Sequence, residues 1–140
     1  MDLALQLFAT AALIVIATLI HGTGVVITSK LFSYEEAALR KKPLASREFQ
    51  LMVPMALCLF GIHAVEISIF GLFYLAVGAI GTLEAALYFS ASAYTTLGHA
   101  GEEIVQWRIV GAFEGLAGFV LIGWSVAVFV TDMEKVLRPK

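Results

Sequence analysis

A run of small and polar residues, TTLGHAGEE at positions 95–103, follows an apolar segment of about a dozen residues, which is too short to cross a membrane. Thr95 and Thr96 offer hydroxyl oxygens, and the glycines relax the steric limits on the backbone. Backbone carbonyl and hydroxyl oxygens together can replace the water around a dehydrated cation. The residue types in this run therefore predict either an ordinary loop or a cation site built largely from backbone.

Three polar side chains in apolar segments form a second candidate site. His63 and Glu66 are three residues apart and share a helix face. His21 lies at nearly the same depth in the first apolar segment, by the rise of about 1.5 Å per residue. Imidazole and carboxylate together suit Zn²⁺ or Fe, which predicts a metal or proton site. The alternative, and the preferred interpretation, is a hydrogen-bonded clasp that fixes the first helix onto the rest.

The composition indicates the elements that must position these residues. Of 140 residues, 60% are hydrophobic and only 14% are charged, with a mean hydropathy of +0.90. Soluble domains are about half apolar and a quarter charged, so we predict an integral membrane protein. Cys58 is the single cysteine, which excludes an intrachain disulfide and a cysteine-based metal motif.

Three apolar segments, Leu3–Ile27, Leu51–Val77 and Ile109–Val130, have the length of about 20 residues that a spanning helix needs. Leu83–Tyr94 is shorter and suits a re-entrant segment. Between the first two spans, Ser33 is expected to cap a helical turn that Pro43 stops.

The distribution of basic residues supports this topology. The positive-inside rule places basic loops in the cytoplasm, and two basic groups share a side only if an even number of spans separates them. A re-entrant fourth segment satisfies that condition, with the N-terminus outside and the C-terminus inside. Eight of the nine basic residues form the two groups: Lys30, Arg40, Lys41, Lys42 and Arg47, and then Lys135, Arg138 and Lys140.

The sequence YFSASAYTTLG, residues 88–98, resembles the pore helix and the first half of the selectivity filter of the potassium-channel superfamily. The likeness is greatest to small bacterial two-helix and two-pore-type channels. The downstream WRIVGAFEGLAGFVLIGWS, residues 107–125, is similar to the inner helix of that family. The resemblance implies four copies around one conduction path and passive transport of monovalent cations, potassium before sodium. The N-terminal span is additional to the minimal pore unit.

The resemblance also implies roles for individual residues. Thr96 would supply the innermost ion site through its hydroxyl and carbonyl, and Leu97 and Gly98 would supply the next carbonyls. Thr95 would brace this filter against the pore helix. Glu114, an acid within the third span, would support the filter or pore helix from behind.

The match ends after Gly98. His99 stands where the family has Tyr or Phe, Ala100 where it has a second glycine, and Gly101 where it has Asp. A one-residue insertion would instead make Gly101 the second glycine and Glu102 the acid. Glu102 and Glu103 form either an acidic ring at the outer mouth or an ordinary solvated loop. The resemblance therefore implies a cation pathway with its inner ion sites at residues 96–98, and the departures after Gly98 alter the outer sites.

Glycines on the third span have two interpretations. Gly115 or Gly118 could be a hinge of the inner helix, or both could serve close helix packing.

We therefore predict an all-α membrane protein with three transmembrane helices, a re-entrant pore helix and a filter loop. The alternatives are a membrane metal-binding or redox protein that uses the intramembrane His and Glu residues, and a non-conducting pore-like protein. We expect no enzyme activity, no cofactor besides bound K⁺ or another monovalent cation, and no nucleic-acid partner.

The expected partners are membrane lipid and further copies of the chain in a homotetramer, in a plasma membrane such as the bacterial inner membrane. The expected segments are an extra N-terminal helix (1–31), a cytoplasmic loop (32–47), a pore domain (48–132, with outer helix 48–78, pore helix and filter 82–103 and inner helix 107–132) and a cytoplasmic tail (133–140).

Overall fold

The computed structural model describes residues 2–39, 43–98 and 106–137. Within these ranges the regular structure is entirely helical, which confirms the all-α prediction. There are four helices in the described residues: α1 (Leu3–Leu39), α2 (Leu44–Ala76), α3 (Leu83–Tyr94) and α4 (Arg108–Leu137).

Three of these helices are long and apolar enough to cross a membrane, as predicted. They are α1, α4 and the Ser46–Ala76 part of α2, in which an 18-residue stretch has a mean hydropathy of 2.4, 1.9 and 2.0 respectively. At about 1.5 Å per residue, α1 is about 55 Å long and exceeds the hydrocarbon core of about 30 Å. The 12-residue α3 is only about 18 Å long.

The first helix extends further than its apolar segment, because nothing in the sequence stops it before Pro43. Residues 28–39 contain no Gly or Pro, and the good helix formers Glu, Ala and Leu make up Glu35–Leu39 at the end of α1. Much of the segment predicted as a loop is therefore helical. Ser33 lies inside α1 and donates to the carbonyl of Ser29 at 2.9 Å, so the prediction that it caps a new helical turn is wrong.

A short turn connects α2 to α3. Gly78 has a φ of 68°, a left-handed conformation that glycine adopts without steric cost. The amides of Ala79 and Ile80 donate to the carbonyl of Tyr74 at 2.9 and 3.3 Å. Thr82 then caps α3 by accepting from the amide of Ala85 at 3.2 Å. Local chemistry therefore starts α3 at Leu83.

The helices α1 and α3 each pack against both α2 and α4, and they do not pack against each other. Two clusters of buried apolar side chains form the core. The first is formed by α1, α2, α4 and the residue just before α4: Leu13, Ala17, Phe70, Tyr74, Trp107, Val110 and Leu121. The second is formed by the same three long helices near the C-terminal end of α4: Phe32, Leu51, Met55, Met133 and Val136.

Polar contacts tie the helices together beside the second cluster. Asp132 on α4 is 2% exposed and accepts from the Ser29 hydroxyl of α1 at 2.7 Å. Arg47, near the start of α2, is also buried, and its guanidinium donates to the carbonyl of Val136 at 2.7 Å. The far end of α4 is thus attached to both α1 and α2.

Candidate functional site

The segment predicted as a filter begins where α3 ends, and it folds back onto the last turn of that helix. The Thr95 hydroxyl donates to the carbonyl of Ala91 at 2.7 Å. The amide of Thr96 donates to Ala93 at 2.9 Å, and the amide of Gly98 donates to Ser92 at 3.2 Å. These bonds hold Thr95–Gly98 in a defined position relative to α3.

Two residues of this segment have left-handed backbone conformations. Gly98 has a φ of 74° and Thr96 a φ of 60°. For a β-branched residue such as Thr96 this conformation is uncommon and costs roughly 1–2 kcal/mol. Strain of this kind persists where the surrounding structure imposes it, and it is concentrated at functional sites.

This segment is exposed among the described residues of one copy of the chain. All four residues of Thr95–Gly98 are exposed, and Leu97 is 82% exposed. By contrast Tyr94, the last residue of α3, is fully buried. A ligand or another copy of the chain therefore has access to the segment.

Glycines of α4 lie directly against the end of α3. A Cβ placed on Gly118 would be 2.0 Å from the carbonyl oxygen of Tyr94, and one placed on Gly115 would be 3.0 Å from that of Ala93. Only glycine permits so close an approach at Gly118. The geometry accounts for these glycines by close packing. The α4 helix is continuous through both, and their role as a hinge stays a prediction.

A buried carboxylate links three helices behind this segment. Glu114 of α4 is fully buried and accepts from the Tyr74 hydroxyl of α2 at 2.7 Å. It also accepts from the Ser90 hydroxyl of α3, one turn before the end of that helix. Ser90 in turn lies 2.7 Å from the carbonyl oxygen of Ile67. Glu114 thus contacts α3, and its effect on a filter stays a prediction.

A second buried carboxylate brings His21, His63 and Glu66 together. Glu66 Oε1 is 2.9 Å from Nδ1 of His21, and Glu66 Oε2 is 3.0 Å from Nδ1 of His63. The hydroxyl of Tyr94 donates to Glu66 Oε2 and lies 2.9 Å from Nδ1 of His63. The indole ring of Trp124 lies over His21 with centroids 5.1 Å apart. Glu66 therefore connects α1 to the residue immediately before Thr95.

Two tyrosines of these networks, Tyr74 and Tyr94, are not identified by the sequence analysis. Buried tyrosine hydroxyls normally need a hydrogen-bond partner, and each of these has a carboxylate. The available signal is the combination of acids and tyrosines inside apolar segments, but the sequence does not indicate which tyrosine pairs with which acid.

Five residues of the predicted site, together with the two that follow them, lie outside the described residues. They are the departures from the family pattern and the predicted outer acids: His99, Ala100, Gly101, Glu102 and Glu103. Their roles stay predictions.

No protein-family model, no curated protein and no solved structure matches this chain. The resemblance to the potassium-channel superfamily, drawn from residues 88–98 and 107–125, therefore stays a prediction.

Proposed function

We propose that this chain is one subunit of a cation channel that passively conducts monovalent cations, potassium before sodium. The observation that carries the proposal is the exposed, folded-back backbone of Thr95–Gly98 at the C-terminal end of a short helix. A helix C-terminus carries a partial negative charge, which favours a cation near Thr96. Carbonyl and hydroxyl oxygens of this segment would coordinate the dehydrated ion.

The membrane arrangement follows from the same segment. We place α3 as a re-entrant pore helix between three spans, with the N-terminus outside and the C-terminus inside. Non-helical backbone within a bilayer needs protein or a watery cavity around it. The buried side of α3, which includes Ala86, Ser90 and Tyr94, faces protein and supports this placement. The exposed Thr95–Gly98 backbone would face the water-filled pore.

Thr95–Gly98 is exposed among the described residues of one copy, and one pore loop does not enclose an ion by itself. We therefore propose a homotetramer with the four segments around one axis. Large apolar side chains on α4 are exposed within one copy: Leu116 (58%), Phe119 (69%) and Val120 (57%). They offer a surface for a neighbouring subunit or for lipid.

The two buried carboxylates would give the proposed filter its rigidity. Glu114 bonds α3 through Ser90, and Glu66 bonds it through Tyr94. Ion coordination requires oxygens held close to their productive positions by surrounding contacts. The acids at Glu102 and Glu103 would raise the cation concentration at the outer mouth.

Ion flux into liposomes that contain the purified protein tests the proposal. We expect K⁺ influx above that of protein-free liposomes, and slower Na⁺ influx. Thr96→Val keeps the β-branched shape but removes the hydroxyl, so it should reduce flux or change the ratio of K⁺ to Na⁺. Thr18→Val is the matched control, because the exposed Thr18 hydroxyl bonds only to Ile14 of its own helix, at 2.7 Å.

If neither ion enters faster than through lipid alone, the channel proposal is refuted. If the two threonine variants conduct alike, Thr96 is not part of the pathway. A molar mass other than four chains, measured for the protein in detergent by light scattering, would refute the tetramer.

Protonation of His99 offers a further test of the proposed outer mouth. Histidine changes charge between about pH 5 and 8, and a positive ring at the mouth would oppose cation entry. We therefore expect flux to fall as the pH decreases through this range, and His99→Tyr to remove the dependence. A flat profile, or the same profile in His99→Tyr, would exclude the histidine from the pathway.

A further inference from the structure

The cluster of His21, His63 and Glu66 has the donor set of a metal site. One ligand atom from each residue lies within 4.8 Å of the other two. Two imidazole nitrogens and one carboxylate oxygen form a common Zn²⁺ ligand set. With Zn–N distances of about 2.0–2.1 Å, ligands in a tetrahedral site lie roughly 3.4 Å apart. Nδ1 of His21 lies 2.9 Å from Glu66 Oε1, and Nδ1 of His63 lies 3.0 Å from Glu66 Oε2, so each imidazole faces a different oxygen of the carboxylate. Binding of one ion between the three residues requires these separations to widen by a few tenths of an ångström.

The charge balance of the cluster also favours a cation. Glu66 is fully buried, and its ion-pair partners among the described residues are the two histidines, without Lys or Arg. A carboxylate in this position needs compensating positive charge, which either a protonated histidine or a bound cation supplies. The nitrogens that face Glu66 are the two Nδ1 atoms, so coordination of a cation by them would replace their hydrogen bonds to the carboxylate.

His63 provides the access to the cluster. Its side chain is 14% exposed, whereas those of His21 and Glu66 are fully buried. His63 lines a groove of about 240 Å³ between α2 and α4, together with Leu59, Phe60, Ile122 and Ser125. His63 is thus the member of the cluster that the groove exposes. The hydroxyl of Tyr94 lies beside both His63 and Glu66, where it adjoins an ion bound to them.

We propose that His21, His63 and Glu66 bind one divalent transition-metal ion, with Zn²⁺ preferred by the donor set. The site joins α1 to α2 and lies next to the last residue of α3. A metal ion bound here fastens the additional helix α1 to the helices that carry Thr95–Gly98. The proposal does not rest on conduction, because a metal ion can bind to this cluster whether or not the chain conducts ions.

Metal content of the purified full-length chain in detergent tests the site. After treatment with a chelator, the protein is equilibrated with Zn²⁺ or with Mg²⁺ and passed through a desalting column. We expect about one Zn²⁺ per chain and no retained Mg²⁺, because nitrogen donors favour Zn²⁺. His21→Gln and His63→Gln should each lower the Zn²⁺ affinity by about tenfold or more. His99→Gln is the matched control, since it removes the remaining histidine of the chain, and it should retain the metal.

Two further measurements keep the test decisive if one variant folds poorly. Zn²⁺ should raise the Tm of the original protein and not that of His63→Gln. Co²⁺ in a four-coordinate site should give strong visible absorption, which the same variant should lose. If the original protein retains no more Zn²⁺ than His63→Gln, the proposal is overturned and the cluster is a hydrogen-bonded clasp only. Equal retention by all variants overturns it too, because the metal then binds elsewhere.

Discussion

The contact between Gly118 and the end of α3 leads to a sharp prediction for Gly118→Ala. The added Cβ would lie 2.0 Å from the carbonyl oxygen of Tyr94, 2.8 Å from its carbonyl carbon and 2.9 Å from its ring. Real Cβ atoms do not approach other heavy atoms within 3.0 Å, so the two helices must separate by about 1 Å. Two of the three obstacles are backbone atoms of a helix, which cannot rotate away as the end of a flexible side chain can.

The magnitude follows from two opposing effects. Overpacking of this kind costs about 3 kcal/mol, the upper part of the usual range, because a backbone rather than a side chain must move. Alanine regains up to about 1 kcal/mol of helix propensity over glycine. We therefore expect Gly118→Ala to lower the free energy of unfolding by about 2 kcal/mol. Gly123→Ala on the same helix has no neighbour within 4 Å of the new Cβ, so it should be neutral or stabilising by up to about 1 kcal/mol.

Unfolding in detergent by added SDS, followed by tryptophan fluorescence and circular dichroism, measures both variants against the original protein. The two variants should differ by about 2–3 kcal/mol, with Gly118→Ala the less stable of the two. If Gly118→Ala is as stable as Gly123→Ala, α4 does not pack on α3 as described, and the close-packing interpretation of Gly118 is wrong. In liposomes, the displaced end of α3 should also reduce the proposed flux in Gly118→Ala alone.

Three other substitutions test individual contacts by the same unfolding assay. Tyr74→Phe removes the hydroxyl that donates to the buried Glu114 carboxylate, and it should lower the free energy of unfolding by about 1–3 kcal/mol. Tyr34→Phe is the control: its side chain is 78% exposed, so the loss should be less than about 0.5 kcal/mol. Ser29→Ala breaks the hydrogen bond between α1 and α4 and should lower the free energy of unfolding by about 0.5–1.5 kcal/mol. Ser33→Ala loses a bond within its own helix and should cost less. Equal losses in the two variants would contradict the contact between the helices. Thr82→Ala removes the N-cap of α3 and should lower the free energy of unfolding by about 0.5–2 kcal/mol. Amide hydrogen exchange in the first turn of α3 should become faster. Unchanged exchange there would show that the cap does not stabilise the start of the helix.

Much of the helical framework can be predicted from the sequence, because the signals that define it are local. Long apolar runs indicate three helices able to span a membrane, and Leu83–Tyr94 is predicted at its observed limits. A glycine-containing turn and the Thr82 cap precede that segment, and the TTLG run follows it, so a local signal marks each end of the helix. The end of α1 is not predicted, since the polar stretch after Ile27 is still made of good helix formers.

Part of the candidate site can be predicted from the sequence of a single helix, and part depends on how the helices pack. The i,i+3 relation of His63 and Glu66 is a property of one helix, and it can be read directly from the sequence. The depth argument adds His21, but it does not show which ring nitrogen meets which oxygen. Tyr94 enters the cluster only because α3 packs beside α2.

Local sequence patterns are sufficient to predict the number, approximate length and apolar character of the helices, and the presence of acids within them. The tertiary structure alone decided that Tyr74 and Ser90 bond to Glu114, and that Gly118 touches the carbonyl of Tyr94. The physical reason is that helical periodicity relates residues within one helix, whereas contacts between helices depend on how each helix is rotated and displaced against its neighbours. Those choices arise from the simultaneous packing of all four helices, which no single segment encodes.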